Sequence, residues 1–424
     1  MDALLTRLKA QHLAGRLGGL FAVCSAHPMV LTEAMEVVRQ SEQPLLVEAT
    51  ANQVNQFGGY SGRTPERFVA YVRESARGAG LPMDRVMVGA DHLGPHVWKG
   101  EPADAAMQKA EALARRCVAA GYDKLHLDTG TGCADDRSAR LPVAEAARRA
   151  ARLCRVAESA RPDGVNGPLY VIGNEVPPPG GALEEGHLPT VTDPRQMLAD
   201  LAVYHQAFEA AGVGAAWSRV MAVVVQPGVD FGDHGAAAYR PERAAALSAA
   251  HGRLPGMMTY EIHATDYQTA AALKQMVQDH FLLLKVGPAL TFALRRALYA
   301  LAEIEAELDG IAVPSRLPQV MEQLMLERPD HWRSHYQGDE ARLRHLRHHS
   351  PRDRIRYYWS DPRARQAVDR LMRNLRRPLP TESIAARLPD IHAEIRREKI
   401  SGDPEKIVRC AVRAALLPYA AACR

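Results

Sequence analysis

The sequence predicts an α/β fold, a closed (β/α)8 TIM barrel followed by a C-terminal helical extension. Three observations carry this expectation. A short, β-branched apolar run, a polar residue and then a helical stretch recur eight times between Leu20 and Val286. The runs are nearly continuous in apolar side chains, as parallel strands covered on both faces require. Eight such units in about 290 residues suit a closed barrel better than an open doubly wound sheet.

In order, the expected strands are Leu20 to Cys24, Pro44 to Val47, Arg85 to Gly89, Lys124 to Leu127, Leu169 to Gly173, Val220 to Val225, Met258 to Ile262 and Phe281 to Val286. Ala- and Arg-rich stretches with helical spacing lie between them, clearest over Ala103 to Ala120 and Val143 to Glu158. No G-x-G-x-x-G follows the first strand, and no G-x-x-x-x-G-K-[ST] occurs. Past Pro314 the composition turns rich in Arg and His, and no further run of parallel-strand type appears. This divides the chain into a barrel over residues 1–313 and a helical extension over residues 314–424. Within the extension, His331 to Trp359 is dense in basic and aromatic residues. A solvated basic surface, a phosphate-facing wall and an inter-subunit surface all fit that composition.

The totals bound the function. Apolar residues make up 47% and aromatics 6%, enough for a sizeable aliphatic core. The 53 basic and 49 acidic side chains leave a net charge of +4. Such near-balance argues against nucleic acid as the main partner. The six cysteines form no C-x-x-C pair, which points to reduced thiols rather than a zinc knuckle or a redox pair. Ala3 to Gly19 is a charged amphipathic run and not an apolar leader, and no run of about 18 apolar residues occurs, so a cytoplasmic chain with no membrane partner is expected.

Barrel enzymes place their chemistry where strands end and βα loops begin. Those positions hold Ser25 and His27; Glu48, then Asn52, Gln53 and Asn55; Asp91 and His92; and His126 and Asp128. The later strands bring Glu175, followed by Gly180 and Gly181; Gln226; Glu261, His263, Thr265 and Asp266; and Lys285 with Gly287. Acids, histidines and a lysine at all eight ends seldom face a closed interior without partners, so a small-molecule site is expected there. Mixed His and carboxylate donors suit a divalent ion such as Zn²⁺, Mn²⁺ or Ni²⁺. Histidines hydrogen-bonded without metal would leave the same pattern. A bound metal would polarise a hydroxy-ketone while Asp91, Glu175 or Glu261 moves a proton. Lys285 suits a Schiff base, an ion pair or a phosphate contact. Gly287, a helix starting near Thr291, and Gly180 with Gly181 suit a phosphate cradle.

Long segments resemble the Z-type subunits of class II D-tagatose-1,6-bisphosphate aldolase. They include CSAHP at Cys24 to Pro28, EATANQVNQFGGYSGRTP at Glu48 to Pro65 and GADHLGP at Gly89 to Pro95. GNEVPPPGG at Gly173 to Gly181, EIHATDYQT at Glu261 to Thr269 and DRIRYYW at Asp353 to Trp359 continue the match. The resemblance implies a place in tagatose and galactitol catabolism and a separate catalytic aldolase subunit as partner. It also implies a homo- or hetero-oligomer. Relatives that act as ketohexose or ketohexose-phosphate 4-epimerases imply a retained metal site for a fructose- or tagatose-type substrate. The alternative is a purely non-catalytic structural subunit. The older label of tagatose-6-phosphate kinase finds no Walker-type loop here.

The wider class II aldolase pattern carries over at Asp91 (proton transfer), His92 and His263 (metal), and Glu175 with its glycines. A metal-binding His expected near strand six is absent, and Gln226 stands nearest. Gln226, Glu175 or His126 would then complete the coordination. The remaining polar ends, Glu48, Asn52, Asp128, Gly180, Gly181, Thr265, Asp266, Gly287 and Thr291, are assigned to substrate or phosphate.

Overall fold

The computed structural model describes residues 9–10, 12, 14, 18–162, 164, 166–173, 181–182 and 188–424. Eight parallel strands close into a barrel: β1 Leu20–Cys24, β2 Leu45–Thr50, β3 Val86–Leu93, β4 Lys124–Leu127, β5 Leu169–Ile172, β6 Val220–Val225, β7 Thr259–Ile262 and β8 Leu283–Val286. β1 pairs with both β2 and β8, which closes the ring. Runs such as Val220–Val225 are apolar throughout because the barrel interior covers one face and the helices the other.

Around the barrel the described residues form the helices α1 Pro28–Arg39, α2 Pro65–Gly78, α3 Ala103–Ala120, α4 Val143–Ser159, α5 Pro194–Ala210, α6 Pro241–Ala249, α7 Ala270–Gln278 and α8 Pro288–Glu307. Five of them begin with proline, whose missing N–H is no loss in a first turn. Asp193 and Thr269 cap α5 and α7 with side-chain oxygens. A short antiparallel hairpin, Asp230–Gly232 with Gly235–Ala237, follows β6 and has no counterpart among the expected elements.

Two strands run further than expected. β2 and β3 stay paired through Ala49↔Ala90 and Thr50↔Asp91. Glu48, Asp91 and His92 therefore lie within strands and not just past their ends.

The extension contributes α9 Leu317–Glu327, α10 Glu340–His349, α11 Pro362–Asn374, α12 Thr381–Arg387, α13 Pro389–Glu398 and α14 Pro404–Ala422. α14 packs against α1, α7 and α8. Buried Glu33 of α1 accepts from Arg409 at 2.8 Å and Arg413 at 2.6 Å. Tyr419 donates its hydroxyl to the Thr265 carbonyl at 2.8 Å. Buried Asp353 accepts from Thr291 of α8 at 2.6 Å and from Arg295 at 3.2 Å. Among the described residues no helix is long and apolar enough to cross a membrane.

Candidate metal centre and active-site mouth

The barrel interior changes character from bottom to top. Leu20, Leu46, Met87, Leu169, Met221 and Leu283 fill its lower part. Above them Lys124 crosses the barrel, its Nζ 2.5 Å from Glu48 Oε1 and 2.5 Å from Glu261 Oε2. The register sets Glu48 beside Gly89, and Gly89 beside Lys124. A Cβ on Gly89 would meet Glu48 Oε1 at 2.8 Å, so the missing side chain is the gap through which Glu48 reaches Lys124. Lys285 lies 3.0 Å from Glu48 Oε2 and 3.7 Å from Glu261 Oε1, and also pairs with Asp91.

Three imidazoles top this layer. The ring centroids of His92, His126 and His263 are 5.3, 5.0 and 5.0 Å apart. Each ring has one nitrogen beside a carboxylate. His92 Nδ1 lies 2.7 Å from Asp128, His126 Nδ1 2.9 Å from Asp91, and His263 Nε2 2.9 Å from Glu261. The other nitrogen of His126, Nε2, is buried and has no hydrogen-bond partner among the described residues. One donor atom from each of Asp91, His92, His126 and His263 lies within 4.8 Å of the others.

Local backbone makes this convergence possible. Neighbours in a regular strand point to opposite faces. The β3 register shifts between Ala90 and Leu93, and His92 sits in the left-handed region at φ 45°. This bulge brings Asp91 and His92 into the same interior, a strained arrangement of the kind found at functional sites.

The electrostatics favour a cation. Glu48, Asp91, Asp128 and Glu261 face two ammonium groups, Lys124 and Lys285, leaving two net negative charges when the imidazoles are neutral. Burial, joined by the Lys285 charge, pulls His263 down to about 3, so that imidazole stays neutral. Burial pushes against ionisation of Asp91, but the charges of His92 and Lys285 outweigh it and hold the carboxyl well below its usual range. His92 goes the other way: burial opposes its charged form, yet Asp91 and Asp128 raise its pKa. Burial likewise opposes the Lys285 ammonium, but Asp91 and Glu48 hold its pKa well above the usual value. An amine held protonated by these carboxylates is a poor nucleophile, so of the roles expected for Lys285 this geometry favours the ion pair.

The expected phosphate cradle is already filled from within. The Gly287 and Ala289 amides donate to Asp266 Oδ1 at 3.0 and 2.7 Å. The Thr291 hydroxyl donates to Asp353. Thr265 donates to the Lys285 carbonyl at 2.6 Å, bracing β8. Gln226 does not join the cluster either. Its Oε1 accepts from the Gly228 and Val229 amides at 2.8 Å each and shapes the turn after β6. Asn52 serves through its carbonyl, which accepts from the Tyr60 amide at 2.9 Å. Glu175 and Gly180 lie outside the described residues. Gly181 and Phe231 line the chamber above the imidazoles.

Several functional positions escaped the sequence reading. Lys124 looked like the first residue of a strand, although a lysine two before His126 on the same face was a usable signal. Cys24 places its Sγ 3.4 Å from Asp91 Oδ2. Tyr60 lines the chamber as well, and so do Arg356 and Tyr357 of the extension, from the basic and aromatic segment for which a phosphate-facing wall was one expectation.

Residues 5–424 match the model of a family described as D-tagatose-1,6-bisphosphate aldolase subunit GatZ/KbaZ-like. The chain belongs to this GatZ/KbaZ-like family. A Sinorhizobium meliloti 1021 protein described as a probable tagatose 6 phosphate kinase is 45% identical to it, with a TM-score of 0.87 over 96% of this chain and 100% of that one. That solved structure agrees with the barrel and its helical extension. The YdjI aldolase of Escherichia coli K12 is 12% identical, with a TM-score of 0.39 over 86% of this chain and 94% of its own. The Campylobacter jejuni fructose-bisphosphate aldolase is 11% identical, with a TM-score of 0.41 over 95% of each chain. Likenesses that faint say nothing of what this GatZ/KbaZ-like chain does.

Proposed function

We propose that this GatZ/KbaZ-like subunit acts in tagatose and galactitol catabolism and carries its own divalent-metal site for retro-aldol chemistry on a ketohexose or ketohexose 6-phosphate. One observation carries the reading: three imidazoles converge, and a carboxylate backs each of them. That backing is how proteins orient metal-binding histidines and fix their tautomers. His92, His126 and His263 would hold the ion, with His126 taking the place of the absent strand-six histidine. Zn²⁺, Mn²⁺ and Ni²⁺ all suit such donors. When bound, the ion supplies Lewis acidity toward the hydroxy-ketone.

The protein groups would do the rest. Asp91 accepts the proton of the C4 hydroxyl as C3–C4 breaks. The C4–O bond becomes a carbonyl and the electron pair moves onto the C2–C3 unit. Lys285, held protonated, offsets the negative charge gathering there. If the aldehyde fragment turns over and adds back, Asp91 returns its proton and the product is the 4-epimer.

Incubation of the purified chain with fructose 6-phosphate and Mn²⁺, Ni²⁺ or Zn²⁺ tests this. Tagatose 6-phosphate is the expected product, and Asp91→Asn should abolish it. No product with any of the metals, and no effect of Asp91→Asn in any assay, would sink the proposal. The family description favours a second reading, a subunit that only supports a partner aldolase. Co-expression decides that one: a partner equally active and equally heat-stable without this chain rules it out.

A further inference from the structure

The metal centre accounts for one end of a sugar and leaves the other without a seat. The chamber above the imidazoles holds about 60 Å³. So narrow an inner space suits the reacting carbons better than a whole hexose phosphate. A second cavity of about 480 Å³ lies next to it, with Tyr60 and Arg356 lining both. Its size is typical of small-molecule sites. Ser25, His27 and Arg63 line it from the barrel, and Trp359, Ser360 and Arg365 from the extension.

The charge of this cavity is one-sided. Among the described residues Asp369 is the one carboxylate lining it, against Arg63, Arg356 and Arg365. Arg356 is 8% exposed. It donates to the carbonyls of Arg352 at 2.6 Å and Asp353 at 3.0 Å, and to the Tyr357 hydroxyl at 3.3 Å. These bonds take three of its five N–H groups, and the Asp353 carboxylate helps to hold its charge without forming an ion pair with it. Arg63 stacks on Tyr71, 4.3 Å from the ring centre. Among the described residues, neither Arg63 nor Arg356 has a carboxylate within 4.0 Å. Guanidinium groups in a cavity wall with no carboxylate in ion-pair contact are suited to an anionic ligand. The nearby amides and hydroxyl that suit an anion are held by Asp266 and Asp353.

We infer that the outer cavity seats the phosphate-bearing end of the substrate, with Arg63 and Arg356 as its counter-ions and the extension as its outer wall. The sugar in this inference rests on the function proposed above. The anion rests on the cavity alone.

Calorimetric titration of the full chain with inorganic phosphate, fructose 6-phosphate and fructose, at fixed ionic strength, tests it. Fructose 6-phosphate should bind at least about tenfold more tightly than fructose, the scale of one charge-assisted hydrogen bond. Inorganic phosphate should compete with fructose 6-phosphate. Arg356→Gln and Arg63→Gln should each weaken both anions about tenfold and leave fructose unchanged. Arg356 also braces its own loop, so the more exposed Arg63 carries the test if Arg356→Gln does not fold. His126→Ala should lose bound metal yet keep its phosphate affinity, which separates this inference from the metal proposal. Equal affinity for fructose and its 6-phosphate, no binding of inorganic phosphate, or unchanged anion affinity in Arg63→Gln would overturn it.

Discussion

Replacing Lys124 by methionine removes a charge and keeps the length of the side chain. Lys124 is fully buried between two carboxylates, each 2.5 Å from its ammonium. The interior then passes from two net negative charges to three, and Lys285 alone must serve Glu48, Asp91 and Glu261. Breaking a buried ion pair from one side costs about 3–5 kcal/mol. Burial opposes the Lys124 ammonium, but Glu261 and Glu48 outweigh it and raise its pKa. A raised lysine gives its full stabilisation below the unfolded-state pKa and loses it only in strong alkali, so the deficit is flat from pH 6 to 9. For 424 residues the unfolding entropy is roughly 0.9 kcal/mol per kelvin, which turns the deficit into a drop in Tm of about 3 to 6 °C. Differential scanning calorimetry measures it. The double variant Lys124→Met/Glu48→Gln returns the charge count to two and should recover part of the loss. A single variant within about 1 °C of the parent, or a double variant no better than the single, would refute the reasoning.

Three further outcomes follow from the same geometry. Gly89→Ala should push Glu48 off Lys124 and lower stability by about 1–3 kcal/mol, read as a shift in the denaturation midpoint. Burial lifts the Asp266 carboxyl to about 6 despite its two amide bonds. The folded state therefore binds more protons than the unfolded chain between pH 4 and 6, and stability falls as pH rises through that window, by about 3 kcal/mol. Asp266→Asn keeps an oxygen for both amides and should flatten the slope in unfolding curves taken across it. Asp353→Asn weakens the buried hold on Arg295 and should lower Tm, with faster amide exchange at the start of α8.

Much of this was legible in the sequence. The strands from Val220, Lys124 and Leu20 fell where the apolar runs lay, because a strand covered on both faces leaves an unbroken signature. The polar ring was legible too, and His92, His126 and His263 do converge. The departures come mostly from competing partners, some distant along the chain and some adjacent. Gly287 and Thr291 have the local look of an anion cradle, but Asp266 and Asp353, the latter 62 residues beyond Thr291, arrive first. Gln226 looked like a ligand and became a turn-former because two amides were closer. Lys124 was overlooked because a strand's first residue ordinarily meets solvent, whereas this one points into a closed barrel. Arg356 and Tyr357 reach the mouth through the docking of the extension, and the basic and aromatic density of their segment suggested such a wall without showing where it docks.

The docking of the extension bears on how such a protein can change. Asp353 holds α8, and Arg356, three positions later, faces both cavities. One short stretch therefore governs the rigidity of the last barrel helix and the wall that a ligand meets. Selection for a new substrate acting on this stretch would alter heat resistance as well. A chimera carrying a relative's extension should change selectivity and durability together, as one inherited unit.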